Sequence, residues 1–385
     1  MLDRRLFLHS LTEQMAIHPV VALLGPRQCG KTTLAEILET SYNGTTHRFD
    51  LENPQDLLAL SNPMVVLERL TGLVIIDEIQ RLPEIFPILR VLSDKKQASY
   101  LILGSASRDL IKQSSETLAG RIGYIELTPF LMVEGCMMNQ LLIRGGFPRS
   151  YLASDDRESY LWRESYIQTF LERDIPNLGF SISPLLLRRF WMMLTQVHGS
   201  ILNMSNLAVS LGVSAHSIRH YVEILAGTFM VRLMPPWFEN IHKRQVKTPK
   251  IFFRDSGLLL TLLGIHNEKE LLMHPNLGAI WEGFALEQVI QSLRIRPEES
   301  FFWRTQDGAE LDLLVFKEGK RLGFEFKFSD SPKTTKSMHS ALTALKLDHM
   351  YVIYPGKREI PLKENISIIG LEEWIDRKIP SRNGV

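Results

Sequence analysis

Cysteine is nearly absent from this chain: two residues in 385, Cys29 and Cys136. That excludes a disulfide-stapled secreted module and predicts a reducing compartment, the cytoplasm. No stretch approaches the ~18 uninterrupted apolar residues of a membrane helix, so no membrane partner is expected. The first residues carry Asp3, Arg4 and Arg5 beside an apolar run too short for a secretion signal. Charge of one sign is lacking as well: 44 basic and 43 acidic residues give a net +1. No overall field draws the chain to nucleic acid or to an anionic surface, and any such contact must come from a local patch. Internal repeats and low-complexity tracts are missing too. What remains is an ordinary globular composition, 45% hydrophobic and 23% charged, over a length that suggests two or three domains.

The first third alternates short apolar runs, at 20–24, 48–51, 73–76, 100–103 and 124–127, with segments of helical spacing. Buried runs punctuated by helices predict an α/β domain with a parallel sheet covered on both faces. From about 135 to 238 the pattern is mostly helical, with long amphipathic segments at 160–175 and 185–197 and breaks at Pro176 and Pro184. Pro235 and Pro236 mark a further boundary, after which strands and helices mix in an α+β pattern. The economical division is 1–134, 135–238 and 239–385.

Gly25-Pro26-Arg27-Gln28-Cys29-Gly30-Lys31-Thr32 satisfies the Walker A pattern of a P-loop NTPase at every required position. An apolar strand precedes it and a helix follows. The glycines let successive amides turn toward phosphate oxygens, and the helix start adds its positive dipole end. Lys31 reaches the β- and γ-phosphates of ATP, the Thr32 hydroxyl suits magnesium, and Thr33 completes the cradle. Cys29 inside the loop suggests sensitivity to oxidation.

Leu73-Val74-Ile75-Ile76-Asp77-Glu78 is a buried run ending abruptly in two carboxylates. Asp77 fits a Walker B aspartate that holds magnesium, through water or through Thr32, and Glu78 fits the base that polarises the attacking water. Taken alone, the pair can equally cap the next helix. The strand at 100–103 runs into Gly104-Ser105-Ala106-Ser107, where Ser105 is the candidate γ-phosphate sensor. Leu118-Ala119-Gly120-Arg121 offers an arginine for transition-state charge, in cis or across a subunit interface of a homo-oligomer. The competing reading of Arg121 is a surface pair with a carboxylate.

Together these motifs, with Gly145-Gly146-Phe147-Pro148, Glu172-Arg173-Asp174-Ile175 and Phe253-Arg254-Asp255-Ser256-Gly257-Leu258, resemble a large prokaryotic family of AAA-like ATPases. The resemblance covers nearly the whole chain. It implies an ATPase core, a winged-helix-like middle and a nuclease-like end of unassigned role.

In the middle, the apolar spacing from Asn206 to Leu225 fits two short packed helices with Gly212 at the turn and Ser214 capping the second. That second helix shows His216, Ser217, Arg219 and His220, groups able to meet DNA phosphates or base edges. The same geometry serves equally as a lid or a protein contact. Lys243, Arg244, Lys247 and Lys250 follow as a basic stretch and read as a solvated linker.

Near the end, Glu310-Leu311-Asp312 and Glu325-Phe326-Lys327 flank Lys317-Glu318-Gly319-Lys320. A two-residue turn at Glu318-Gly319 sets Asp312 opposite Glu325 and Glu310 opposite Lys327. Paired carboxylates with a lysine suit magnesium-assisted phosphodiester chemistry. The arrangement resembles the PD-(D/E)XK nuclease fold, a restriction-endonuclease-like domain. The resemblance implies Asp312, Glu325 and Glu282 as metal ligands and Lys327 as a catalytic partner. The plain alternative is a hairpin with a charged wet face. Two functions follow: an ATPase that handles nucleic acid and cuts it, or an ATP-operated switch that recruits DNA or a protein through an inert nuclease-like domain.

Overall fold

A computed structural model of the chain describes residues 4–105, 117–238, 248–363 and 365–379. Ala106, Ser107, Lys243, Arg244 and Lys247 lie outside the described residues. The chain forms two compact units. The first runs to Pro129 and takes in Asn177–Phe180 and Gly227–Phe229. The second holds Phe130–Pro176, Ser181–Ala226 and the described residues from Met230 onward.

The first unit is built on five parallel strands: β1 (Val20–Leu24), β2 (Thr46–Asp50), β3 (Gly72–Asp77), β4 (Ala98–Gly104) and β5 (Ile122–Glu126). Their order is β2-β3-β4-β1-β5. Because successive side chains alternate faces, Val20, Ala22 and Leu24 join one core with Val74, Ile76, Phe86 and Leu89. Val21 and Leu23 join the other with Ile75, Leu34, Leu38 and Leu11. Helix Ile85–Lys95 supplies Phe86 and Leu89 to the first face, and helices Lys31–Ser41 and Arg5–Ile17 supply Leu34, Leu38 and Leu11 to the second, so both faces are covered. This is why the strands read as unbroken apolar runs. β4 separates β1 from β3, and its end therefore lies between the loop after β1 and the carboxylates ending β3.

The second unit opens with helices Met138–Arg144, Asp156–Thr169, Pro184–Thr195, Met204–Leu211 and Ala215–Gly227. Pro184 starts its helix, where its missing N–H costs nothing. Pro176 does not break the chain on cue: Asp156–Thr169 runs through a π-helical turn, Phe170–Asp174, into Ile175–Asn177, and the proline rides in that last turn. Gly212 (φ 72°) closes Met204–Leu211, and the Ser214 hydroxyl accepts the Ser217 N–H at 3.0 Å to cap the next helix, as expected.

An antiparallel pair follows, β6 (Val231–Met234) with β7 (Lys250–Phe253). A mixed six-stranded sheet comes next, in the order β12-β13-β11-β10-β9-β8. Its strands are β8 (Ser300–Arg304), β9 (Glu310–Lys317), β10 (Lys320–Phe326), β11 (His349–Tyr354), β12 (Glu359–Lys363) and β13 (Ile366–Gly370). Lys317 pairs with Lys320 across Glu318 (φ 52°) and Gly319 (φ 76°), so both turn residues are left-handed, as a type I′ turn requires. Leu311, Leu313, Phe324 and Phe326 are fully buried, as that register predicts.

Two buried joints hold this unit together. The Asp255 carboxylate accepts the N–H groups of Gly146 (2.7 Å) and Leu258 (2.8 Å). A Cβ at Gly145 (φ +72°) would lie 2.2 Å from the same carboxylate, so the Gly-Gly and Arg-Asp-Ser-Gly signatures are two halves of one packing contact. In the other joint Glu287, on helix Leu277–Ser292, accepts Arg232 Nε and Nη2 at 2.7 and 2.8 Å. It also accepts Arg254 Nε and Nη2, both at 3.1 Å.

Candidate functional site

The phosphate loop is braced before any ligand arrives. Gly25 N–H donates to Gly104 O at 3.2 Å, tying the loop's start to the end of β4. A Cβ at Gly25 would sit 2.1 Å from Leu127 O, so no larger residue fits that approach to β5. Pro26 is buried and Arg27 half-buried, while Gln28 (φ 61°) and Gly30 (φ 101°) turn the backbone through left-handed conformations. Lys31 begins helix Lys31–Ser41, and its buried ammonium donates to Gly25 O and Pro26 O, each at 2.9 Å. Thr33 follows, exposed, in the first turn.

Across the loop, Thr32 Oγ1 donates to Asp77 Oδ2 at 2.9 Å, joining the two motifs directly. Asp77 is almost fully buried. Burial raises its carboxyl above the ordinary value, the Thr32 hydrogen bond opposes this, and the neighbouring Glu78 raises it further. A buried carboxylate beside a second one calls for a compensating cation, and hard oxygens from Thr32 and Asp77 are the donors magnesium prefers. The residues fit the ion. Glu78 precedes the 3-10 turn Ile79–Arg81, and its carboxylate makes no capping hydrogen bond to the backbone of that turn.

Glu78 itself stands in the left-handed region (φ 53°), a conformation that costs a non-glycine residue energy and clusters at functional sites. Ser105 Oγ lies 3.2 Å from both Glu78 carboxylate oxygens, Gln80 Nε2 donates to the same carboxylate, and Arg27 Nη2 is 3.8 Å away. Arg27 also pairs with Glu52. Ser105, read from sequence as a phosphate sensor, is thus engaged with Glu78. Arg27, Gln80 and Glu52 form the rest of this setting; of them the sequence reading singled out only Arg27, as a loop residue.

Two expectations are corrected. Cys29 is fully buried, its Sγ 3.4 Å from Leu127 O, and burial raises its thiol above the ordinary value; a protonated, enclosed thiol is a poor target for oxidants. Arg121 precedes β5, and its carbonyl accepts the Val20 N–H at the start of β1. The phosphate loop follows the other end of β1, roughly 16 Å away at ~3.3 Å per residue. Arg121 therefore does not line this chain's own phosphate loop. Its guanidinium makes the surface pair instead, with Asp94 at 2.7 and 3.1 Å.

The second cluster lies in the second unit. The β9–β10 ladder runs to Phe324 opposite Leu313, which sets Asp312 and Glu325 at the next step, and the Phe326 N–H donates to Asp312 Oδ2 at 3.1 Å. Lys327 Nζ is 3.1 Å from Glu325 and 3.9 Å from Asp312. Lys250, dismissed from sequence as linker charge, is buried on β7: it pairs with Glu310 and stands 3.8 Å from Asp312. Burial and the Asp312 charge push Glu282 up to about 7. The same two causes, in the same order, raise Glu325 well above its ordinary value. Burial pulls Lys327 down, but Asp312 and Glu325 outweigh it and leave the ammonium above its ordinary value.

Among the described residues, no group of three or more His, Cys, Asp or Glu side chains is arranged to hold a metal ion. The Glu282, Asp312 and Glu325 set expected as ligands is gathered in one place, with lysine ammonium groups supplying its positive charge. No described helix is long and apolar enough to cross a membrane.

Comparison with known proteins agrees with the first unit. Residues 17–136 match an AAA domain. Residues 137–269 and 277–374 match two domains of unknown function, DUF8612 and DUF4143. In backbone, the chain is similar to the Walker-type ATPase PABY2304 of Pyrococcus abyssi, at 13% identity and a TM-score of 0.49, covering 68% of this chain and 96% of that one. In sequence it is similar to the uncharacterized proteins Rv2008c of Mycobacterium tuberculosis and Mb2031c of Mycobacterium bovis. Each is 44% identical over 364 residues, covering 93% of this chain and 82% of theirs. The chain therefore carries an AAA domain and belongs to the family of these mycobacterial proteins.

Proposed function

We propose that the first unit binds ATP with magnesium and hydrolyses it. The observation that carries the reading is the 2.9 Å hydrogen bond from Thr32 to Asp77, which brings both motifs to one point with Glu78 beside it. Gly25 to Thr33 wrap the triphosphate, and Lys31 exchanges its two carbonyl partners for phosphate oxygens. Magnesium, when held by Thr32 and Asp77, supplies charge neutralisation at the phosphates. Glu78 takes a proton from water, and Ser105 and Gln80 hold its carboxylate in place for that transfer. Calorimetric titration with ATP and magnesium checks the binding step. Lys31→Ala is expected to lose affinity by about a hundredfold, because a charge-assisted contact to phosphate disappears.

The second unit serves, on this proposal, as the part that nucleotide state controls. The Ala215–Gly227 helix exposes His216 and Arg219 beside the Ser214 cap, which supports docking of its start on DNA. The lysines within the C-terminal cluster favour the switch reading over the cutting one, since Lys250 and Lys327 already supply cations beside Asp312. The cluster then contacts a phosphodiester or a protein partner without hydrolysing it. A cleavage assay on single- and double-stranded DNA with Mg²⁺ or Mn²⁺ checks this. The expected result is no cutting above background, identical for wild type and Asp312→Asn. Cutting that Asp312→Asn abolishes restores the nuclease reading.

A further inference from the structure

The residue that shapes the phosphate loop from outside its motif is Arg4. It precedes helix Arg5–Ile17, is 7% exposed, and lies with its guanidinium 4.7 Å from the Phe7 ring centroid. One arm, Nη1, donates to Cys29 O at 2.8 Å; the other, Nη2, donates to Thr128 O at 2.8 Å. One planar group thus ties the crest of the loop to the chain just beyond β5.

The Cys29–Gly30 peptide is where such a tie matters. Gly30 sits at φ 101°, and a glycine there can rotate the adjoining peptide at little steric cost. In a trans peptide the C=O and the following N–H point in opposite directions. Fixing Cys29 O therefore fixes the Gly30 N–H on the side away from Arg4. Gly30 N–H is one of the amides a phosphate loop aims at its ligand.

We propose that Arg4 is a positioning residue for nucleotide binding, locking the Cys29–Gly30 peptide so that the loop meets phosphate already formed. This rests on the ATP reading above. Preorganisation of this kind acts on affinity, because the unlocked loop must pay the ordering cost on binding. The chemical step is expected to stay nearly unchanged, since the guanidinium's two hydrogen bonds described above go to backbone carbonyls, Cys29 O and Thr128 O, and act on the shape of the loop.

The test is titration of the full chain with a fluorescent ATP analogue and magnesium, together with steady-state turnover, for wild type, Arg4→Ala and Arg4→Lys. Arg4→Ala is expected to weaken binding and raise KM by about tenfold, the value of losing one charge-assisted hydrogen-bond pair, with kcat within about twofold. Arg4→Lys keeps the charge but not the planar fork that spans two carbonyls, so it is expected to remain weakened by about threefold or more. If Arg4→Ala does not fold, Arg4→Lys decides. Wild-type affinity in Arg4→Lys, or a fall in kcat with KM unchanged, overturns the proposal. A wild type that binds no nucleotide overturns the ATP reading instead, and the two failures are thereby distinct.

Discussion

Glu78→Gln is expected to bind ATP with affinity within about threefold of wild type and to turn it over about 10²- to 10⁴-fold more slowly. The amide keeps the shape of the carboxylate and can still accept from Ser105 and Gln80, which both reach Glu78 now. It cannot accept a proton from water at neutral pH. The side chain is carried on a left-handed residue directly after β3, so its position is set by backbone and not by a flexible stem. Single-turnover phosphate release beside equilibrium binding separates the two effects. Equal loss of binding and turnover would assign Glu78 to holding the loop; unchanged turnover would remove it from the chemistry.

The second large effect concerns stability. Glu287 is buried, and burial alone would raise its carboxyl; Arg232 and Arg254 outweigh that and bring it down to about 2 from an ordinary 4.5. A depressed carboxyl contributes stability that is present above the unfolded value and lost as pH falls from 4.5 toward about 2. Glu287→Gln leaves two guanidinium groups in a buried site with no carboxylate between them, and breaking such a pair from one side costs about 3–5 kcal/mol. Denaturant unfolding of the second unit at pH 7 is expected to show that loss. Over the acid range the variant is expected to lose less stability than wild type, because this titration is gone. A cost below about 1 kcal/mol would show that the guanidiniums find water instead.

What the sequence revealed follows the range of the physics involved. Phosphate binding needs glycines, a lysine and a hydroxyl in consecutive positions, so Gly25 to Thr32 was legible from spacing. The β9–β10 register was legible for the same reason, since a two-residue turn at Glu318-Gly319 sets every opposed pair along the ladder. Arg4 was not legible: its carbonyl partners lie 25 and 124 residues away, and the charges at the start of the chain were weighed only against a secretion signal. Lys250 looked like linker charge because its acidic neighbours arrive on a strand sixty residues later. The readings of Arg121 stayed open in the sequence because a motif's spacing does not say which end of a parallel strand it occupies; the surface pair with Asp94 was one of them. Glu287 was hidden in a helix buried nearly all round, where no polar face marks it.

The most direct measurement of the central claim is magnesium-dependent phosphate release from ATP by the full chain beside its Lys31→Ala variant. Turnover that requires magnesium and vanishes in Lys31→Ala is the predicted result. Turnover that persists undiminished in Lys31→Ala, or a wild type that neither binds nor hydrolyses ATP, would contradict it.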